Sequence, residues 1–142
     1  MFLISHRGNI NGPDPLIENN PRYIDKCISL GYDVEVDVWF LNGDVFTGHD
    51  YPQYKVSIDY LKNSKFWCHC KNIEALHILL KEDVHCFYHK TDDVTLTSRG
   101  YIWTYPKKKL MEGSVCVLPE LGFDGLLKKC AGICSDYIGN YK

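Results

Sequence analysis

Glu35 and Asp37 stand two residues apart in the run Asp33–Asp50, D-V-E-V-D-V-W-F-L-N-G-D-V-F-T-G-H-D. Val34, Val36 and Val38 alternate with them, so the run reads as a strand with both carboxylates on one face. Two carboxylates side by side repel each other unless a cation or a proton sits between them. Asn42-Gly43 is a strong hairpin-turn signal, and it returns the chain through Val45-Phe46-Thr47 to His49-Asp50. A carboxylate pair and a histidine are thereby brought close together. Taken alone, the same run also reads as a half-exposed strand whose acids face water.

The elements that position these groups alternate along the chain. Phe2–Ser5 reads as a strand with His6-Arg7-Gly8 at its C-terminal end. After a polar loop, Asn20 is a natural N-cap and Pro21 a natural first helical residue. Tyr23, Ile24, Cys27, Ile28 and Leu30 supply an apolar stripe, and Gly31 stops the helix. Further strands are expected at Phe66–Lys71, Val84–His89, Tyr101–Tyr105, Val115–Leu118 and Gly132–Tyr137. Helices are expected near Ile58–Lys62, Asn72–Leu80 and Phe123–Lys129, with Leu96–Gly100 as a turn. Alternating strands and helices predict a parallel α/β sheet. Its polar residues gather where strands end: His6, Arg7, His49, Lys71, His89 and Asp136.

A length of 142 residues predicts one domain, residues 1–142, with a real core. A net charge of −2 gives no electrostatic reason to expect a nucleic-acid or membrane partner. No apolar run is long enough to span a bilayer. The N-terminus, M-F-L-I-S-H-R-G, leaves no room for a signal peptide. The seven cysteines are odd in number and scattered through apolar segments, unlike a disulfide framework. Free buried thiols and a cytoplasmic location are the expectation. Cys68 and Cys70 flank His69 and invite a zinc reading, that of an interaction domain. Strand alternation sends the two thiols to the opposite face from the imidazole, which suits chelation poorly.

His6-Arg7-Gly8, Glu18-Asn19, Glu35-Val36-Asp37, Asn42-Gly43-Asp44 and His49-Asp50, in this order and spacing, resemble the glycerophosphodiester phosphodiesterase family. That family belongs to the wider phosphatidylinositol-phospholipase-C-like phosphodiesterases. The likeness is dense over residues 4–50. It continues weakly through Lys71, His89 with Thr91-Asp92, and Gly132–Asp136. The resemblance implies a TIM-type (β/α) barrel and a role in lipid metabolism. It implies hydrolysis of a small glycerophosphodiester-like substrate to glycerol phosphate and an alcohol, with one divalent cation, most simply Mg²⁺ or Ca²⁺. By the same resemblance His6 and His49 are the general acid/base pair, and Glu35 and Asp37 hold the metal. Arg7, Glu18 and Lys71 serve the substrate. The chemistry suits the residue types: a phosphodiester's charge grows on its equatorial oxygens, and imidazoles titrate near neutrality.

Two features depart from the family pattern. The third metal acid, normally in E-x-K, is replaced in His69-Cys70-Lys71 by His69. Imidazole is softer than carboxylate, so His69 as a ligand opens the site to Mn²⁺ or Zn²⁺. The other departure is length, since a full barrel takes roughly 200–250 residues. The expectation is therefore a compact, truncated barrel of about seven parallel strands with apolar faces partly uncovered, compatible with a homodimer. The alternative to an enzyme is a catalytically impaired, phosphate-binding pseudoenzyme of the same fold.

Overall fold

Strand β2 (Asp33–Leu41) is where the sheet is assembled, because three other strands pair with it. β1 (Phe2–His6) runs parallel along one edge, with His6 opposite Glu35. β5 (Phe66–Cys70) runs parallel along the other edge, with His69 opposite Asp37. Where β1 ends, its edge of β2 is left open, and β3 (Asp44–Thr47) folds back antiparallel onto the remainder. The Asn42-Gly43 turn that allows this has both residues at positive φ, 53° and 84°, as a tight two-residue hairpin requires. β4 (Tyr54–Val56) extends the hairpin by one further antiparallel strand.

Helix α1 (Pro21–Ser29) links β1 to β2; the Asn20 side chain accepts a hydrogen bond from the Arg22 N–H and Pro21 opens the first turn. α2 (Ile58–Leu61) precedes β5, and α3 (Ile73–Lys81) links β5 to β6 (Cys86–Tyr88). Asn72 caps α3 by accepting from the Ala75 N–H. The same residue ties α3 to β2, its amide group donating to the Phe40 carbonyl and accepting from the Phe40 N–H. β7 (Val94–Leu96), β8 (Ile102–Thr104), β9 (Val115–Val117) and β10 (Gly132–Ser135) complete the computed structural model, which describes residues 1–142.

The expected truncated parallel barrel is overturned by this topology. The chain forms one large open mixed sheet of ten strands with only three α-helices. Three of its pairings are antiparallel: β2 with β3, β3 with β4, and β7 with β8. Closure would require β6 to meet β8. Both edges of β8 are taken, by β9 on one side and β7 on the other. Between β6 and the β7 segment run separate hydrogen bonds, Ser98 N–H to the Cys86 carbonyl, Cys86 N–H to Ser98 Oγ and Thr95 Oγ1 to the Tyr88 carbonyl, and not a ladder. The expected turn Leu96–Gly100 follows directly on β7, whose last residue is Leu96, and β7 and β4 are strands that the sequence pattern did not announce.

The two faces of the sheet differ, and strand alternation assigns the residues. Val34, Val36, Val38, Cys68, Cys70, Cys86 and Ile133 pack in the larger core with the helices. The opposite face carries Ile4, Trp67, Phe87, Trp103 and Cys134. Two residues further along each of these strands or just past its end stand His6, His69, His89, Tyr105 and Asp136. An aromatic and aliphatic floor thus lies beneath a polar layer. Rings from different strands meet in that floor, Phe87 and Trp103 at 4.7 Å and Trp67 and Trp103 at 5.6 Å between centroids. All seven cysteines are free and buried.

His85 lies against Trp67 with 4.3 Å between ring centroids, and its Nε2 is buried without a partner. Burial, with help from Arg99, pushes its pKa down from 6.5 to about 4. The unfolded chain then binds the extra proton between these values, so stability is lost as pH falls through that window. The difference in unfolding free energy between wild type and His85→Gln should change by about 1–2 kcal/mol from pH 7 to pH 4, after allowance for partial exposure. Urea unfolding at the two pH values measures it; a difference independent of pH would show that His85 stays ionisable in the fold.

Candidate functional site

β2 outruns β1, and both free ends open onto the same place. Arg7 N–H donates to the Glu35 carbonyl at 3.0 Å, and Gly48 N–H to the Asp37 carbonyl at 3.1 Å. These carbonyls lie on one edge of β2, so the turn after β1 and the turn after β3 are neighbours. Gly48 has φ 148°, and a Cβ there would come within 2.2 Å of the Tyr51 carbonyl oxygen. This tight turn delivers His49 beside His6 and Arg7. The three residues, with Glu35, His69 and Lys71, line one cavity of about 500 Å³. Four of the chain's six histidines line it, His89 being the fourth.

Asp37 lies behind the cavity wall, fully buried, and Glu35 is 2 % exposed. Arg7 Nε is 3.1 Å from Asp37 Oδ2, and Lys71 Nζ is 3.6 Å from Asp37 Oδ1. His69 Nδ1 lies 3.3 Å from Asp37 Oδ1 and 3.7 Å from Glu35 Oε1. None of these contacts has hydrogen-bond geometry, and Glu35 Oε2 and Asp37 Oδ1 are buried acceptors without a partner. The other ring nitrogen of His69, Nε2, is 3.3 Å from the His89 carbonyl, to which only an N–H can donate. Nδ1 faces the two carboxylates, and it meets them with a lone pair when the ring is neutral or with an N–H when the ring is protonated.

The donor atoms of Glu35, Asp37 and His69 all lie within 4.8 Å of one another. That spread suits a cation bound at roughly 2.0–2.6 Å from each. An imidazole whose far N–H is held by a carbonyl is the usual arrangement of a metal-ligating histidine. The orphaned oxygens and Nδ1 of His69 fit a divalent cation, and a proton on His69 is the other way to relieve the carboxylates.

The electrostatics of the pair are unequal. Burial by itself would raise the Asp37 carboxyl, but His69, Arg7 and Lys71 together hold it well below the usual carboxylate range. Burial and the Asp37 charge push Glu35 up, against the pull of His6 and His69. His6 is drawn down by burial, yet its hydrogen bond to Asp136 and the nearby Glu35 outweigh this and raise its pKa. Asp136 Oδ1 accepts from His6 Nδ1–H at 2.8 Å, which leaves His6 Nε2 facing the cavity, 3.8 Å from Glu35 Oε2. His49 Nδ1 similarly lies 2.7 Å from Asp50 Oδ1.

Glu18 is brought behind Arg7 rather than into the main cavity. It accepts from Arg7 Nη1 at 3.3 Å and from Asn9 Nδ2 at 2.8 Å. Sequence reasoning did not assign Asn19, Asn9, Asp136 or Glu120 to the site. Asn19, at φ 62°, is a clamp: its Oδ1 accepts from the Asp37 N–H at 2.9 Å and its Nδ2 donates to Asp37 Oδ2 at 3.0 Å. Thr47 Oγ1 donates to the Asn19 carbonyl, tying the clamp to β3. Glu120 accepts from the Asp136 N–H and from Ser135 Oγ, and so sets the residue that orients His6. The signals available were the Glu18-Asn19 pair within the motif and Asp136 at a strand end.

No protein-family model, curated protein or solved structure matches this chain. No helix is long and apolar enough to cross a membrane.

Removing the clamp should be costly, because it leaves a buried N–H and a buried carboxylate oxygen unpaired. Asn19→Ala should lower stability by about 2–4 kcal/mol. Urea unfolding tests this, and a loss under about 0.5 kcal/mol would show that water replaces the amide. In metal-free protein, Asp136→Asn should lower the His6 pKa, read by the NMR titration of its ring protons; an unchanged titration would remove Asp136 as the orienting group.

Proposed function

We propose that this protein is a small metal-dependent phosphodiesterase, related to the glycerophosphodiester phosphodiesterases that its motifs resemble. The observation that carries the reading is Nδ1 of His69 and two unpartnered carboxylate oxygens meeting beside His6, His49 and Arg7. Glu35, Asp37 and His69 would hold one divalent cation, and a cation bound there supplies positive charge to the equatorial oxygens of a phosphoryl group.

The chain's own residues supply the rest. Arg7 adds a guanidinium that cannot deprotonate, already anchored by Glu18 and Asp37. Asp136 keeps the proton of His6 on Nδ1, so His6 exchanges protons with substrate through Nε2. His49 lines the same cavity. As a bond forms from the oxygen of water to phosphorus, the bond from phosphorus to the leaving alcohol breaks. One histidine takes the proton from the water and the other delivers a proton to the leaving alkoxide. A glycerophosphodiester-like substrate would yield glycerol phosphate and an alcohol.

One observation favours the second reading, a phosphate-binding pseudoenzyme: Asp37 already has Arg7 and Lys71 as cationic neighbours. Hydrolysis of bis-(p-nitrophenyl) phosphate with Mg²⁺, Ca²⁺, Mn²⁺ or Zn²⁺ separates the two. The enzyme reading expects turnover that a chelator abolishes and that His6→Ala or His49→Ala lowers by roughly 10²-fold or more. Phosphate binding without turnover under any of the four metals would establish the pseudoenzyme. His69→Glu should tighten Mg²⁺ or Ca²⁺ and raise activity at limiting metal, since a carboxylate is the harder ligand. Loss of metal binding in a folded His69→Glu protein would show that the imidazole is itself required.

A further inference from the structure

His6, Arg7 and His49 line two cavities, not one. The first, of about 500 Å³, is the cavity already described; the second, of about 370 Å³, shares these three residues as its common wall and is otherwise lined by different ones. The two differ in charge. The first carries Arg7, Lys71 and Lys90 against a single carboxylate, Glu35, and its apolar lining is Trp103, Tyr105, Val117 and Leu118. The second carries Glu18, Asp50 and Asp136 against Arg7 alone, with no lysine.

Several groups of the first cavity lack partners. Lys90 enters no ion pair. Lys71 has only the long 3.6 Å contact to Asp37. The Tyr105 hydroxyl is buried without a hydrogen bond, while its ring is stacked on His89 at 3.4 Å between centroids. A diester whose phosphorus sits at the partition must send one alcohol into each cavity. The basic side attracts a negative arm and the acidic side repels one.

We infer that the substrate is an asymmetric phosphodiester, one of whose alcohols carries a second anionic group, a carboxylate or a phosphate, that is received by Lys90 and Lys71 in the basic cavity. This rests on the phosphodiesterase reading for its chemistry. The anion-binding lobe itself can be measured without turnover. Hydrolysis breaks the bond between phosphorus and one alcohol oxygen and consumes one water, and the second anion takes no part in that step. Its role is to orient the diester and to lower KM.

Calorimetry with Mg²⁺ present compares propylphosphonate with 3-phosphonopropionate, which adds a carboxylate at similar length. Wild type should bind 3-phosphonopropionate about tenfold tighter or more. Lys90→Ala should bring the ratio to within about twofold and Lys90→Arg should keep it. Lys90 is exposed, so the folds of these variants should be undisturbed. A third probe, 1,3-propanebisphosphonate, distinguishes a second phosphate from a carboxylate by which binds tighter. In parallel, ³¹P NMR follows hydrolysis of glycerol ethyl phosphate and glycerol 2-carboxyethyl phosphate, with the preference expected mainly in KM. Equal Kd for the first two probes, no binding of either, or a ratio that survives Lys90→Ala overturns the inference. A binding ratio that collapses in Lys90→Ala, without hydrolysis of either ester, would sink the phosphodiesterase reading and leave the anionic lobe standing.

Discussion

Two carboxylates buried side by side on the central strand are the constraint around which the surrounding residues are arranged. An ionised carboxylate taken out of water without partners costs many kcal/mol, and a second one beside it adds repulsion. Asp37 is relieved by Arg7, Lys71, His69 and the Asn19 amide. Glu35 has only His6 and His69 at longer range, 3.8 and 3.7 Å. The imbalance appears as a lowered Asp37 and a raised Glu35. What remains is negative charge at one point, reached by an imidazole nitrogen and by a cavity, which is the electrostatic demand that a divalent cation meets.

Backbone geometry explains why these groups meet at all. β1 stops at His6 while β2 continues to Leu41, so the chain leaving β1 turns across the exposed edge of β2. The β3 hairpin takes the same edge from the opposite direction and ends at the tight Gly48 turn. Two histidines 43 positions apart (49 − 6) are thereby set on one cavity wall. Beneath them the rings of Trp67, Phe87 and Trp103 form a floor that cannot yield without losing close packing. The polar layer has a rigid support, which a site built from opposed charges needs if small displacements are not to unbalance it.

The same sheet shows how a short chain fills the space that a longer one gives to more helices. β7 pairs with β8 and uses the edge that would have joined β6. The two limbs are held by side-chain floor contacts and isolated hydrogen bonds, Ser98 to Cys86 and Thr95 to Tyr88, instead of a ladder. Val94, Leu96 and Ile102 on this hairpin remain exposed because no helix covers them. The open arrangement leaves the basic wall with Lys90 facing the cavity unpaired.

The strand at Asp33–Leu41, the shared face of Glu35 and Asp37, the Asn42-Gly43 turn and the Asn20-Pro21 helix start were all legible in the chain. So was the placing of His69 opposite Cys68 and Cys70. Each depends on the alternation of neighbours or on the φ preference of one or two residues, and both are local properties. The open mixed sheet was not legible. Whether β8 offers an edge to β6 depends on where the three-residue β7 docks, and so short a strand carries almost no periodic signal. The Asn19 clamp on Asp37, 18 residues away, and the Asp136 bond to His6, 130 residues away, were equally hidden. The sequence by itself determined which side chains share a strand face and where the chain can turn, because those follow from backbone stereochemistry over a few residues. Only the tertiary structure decided which strand edges stay free and which distant polar groups satisfy the buried acids, because those choices are made by the whole chain competing for the same edges and the same buried charges.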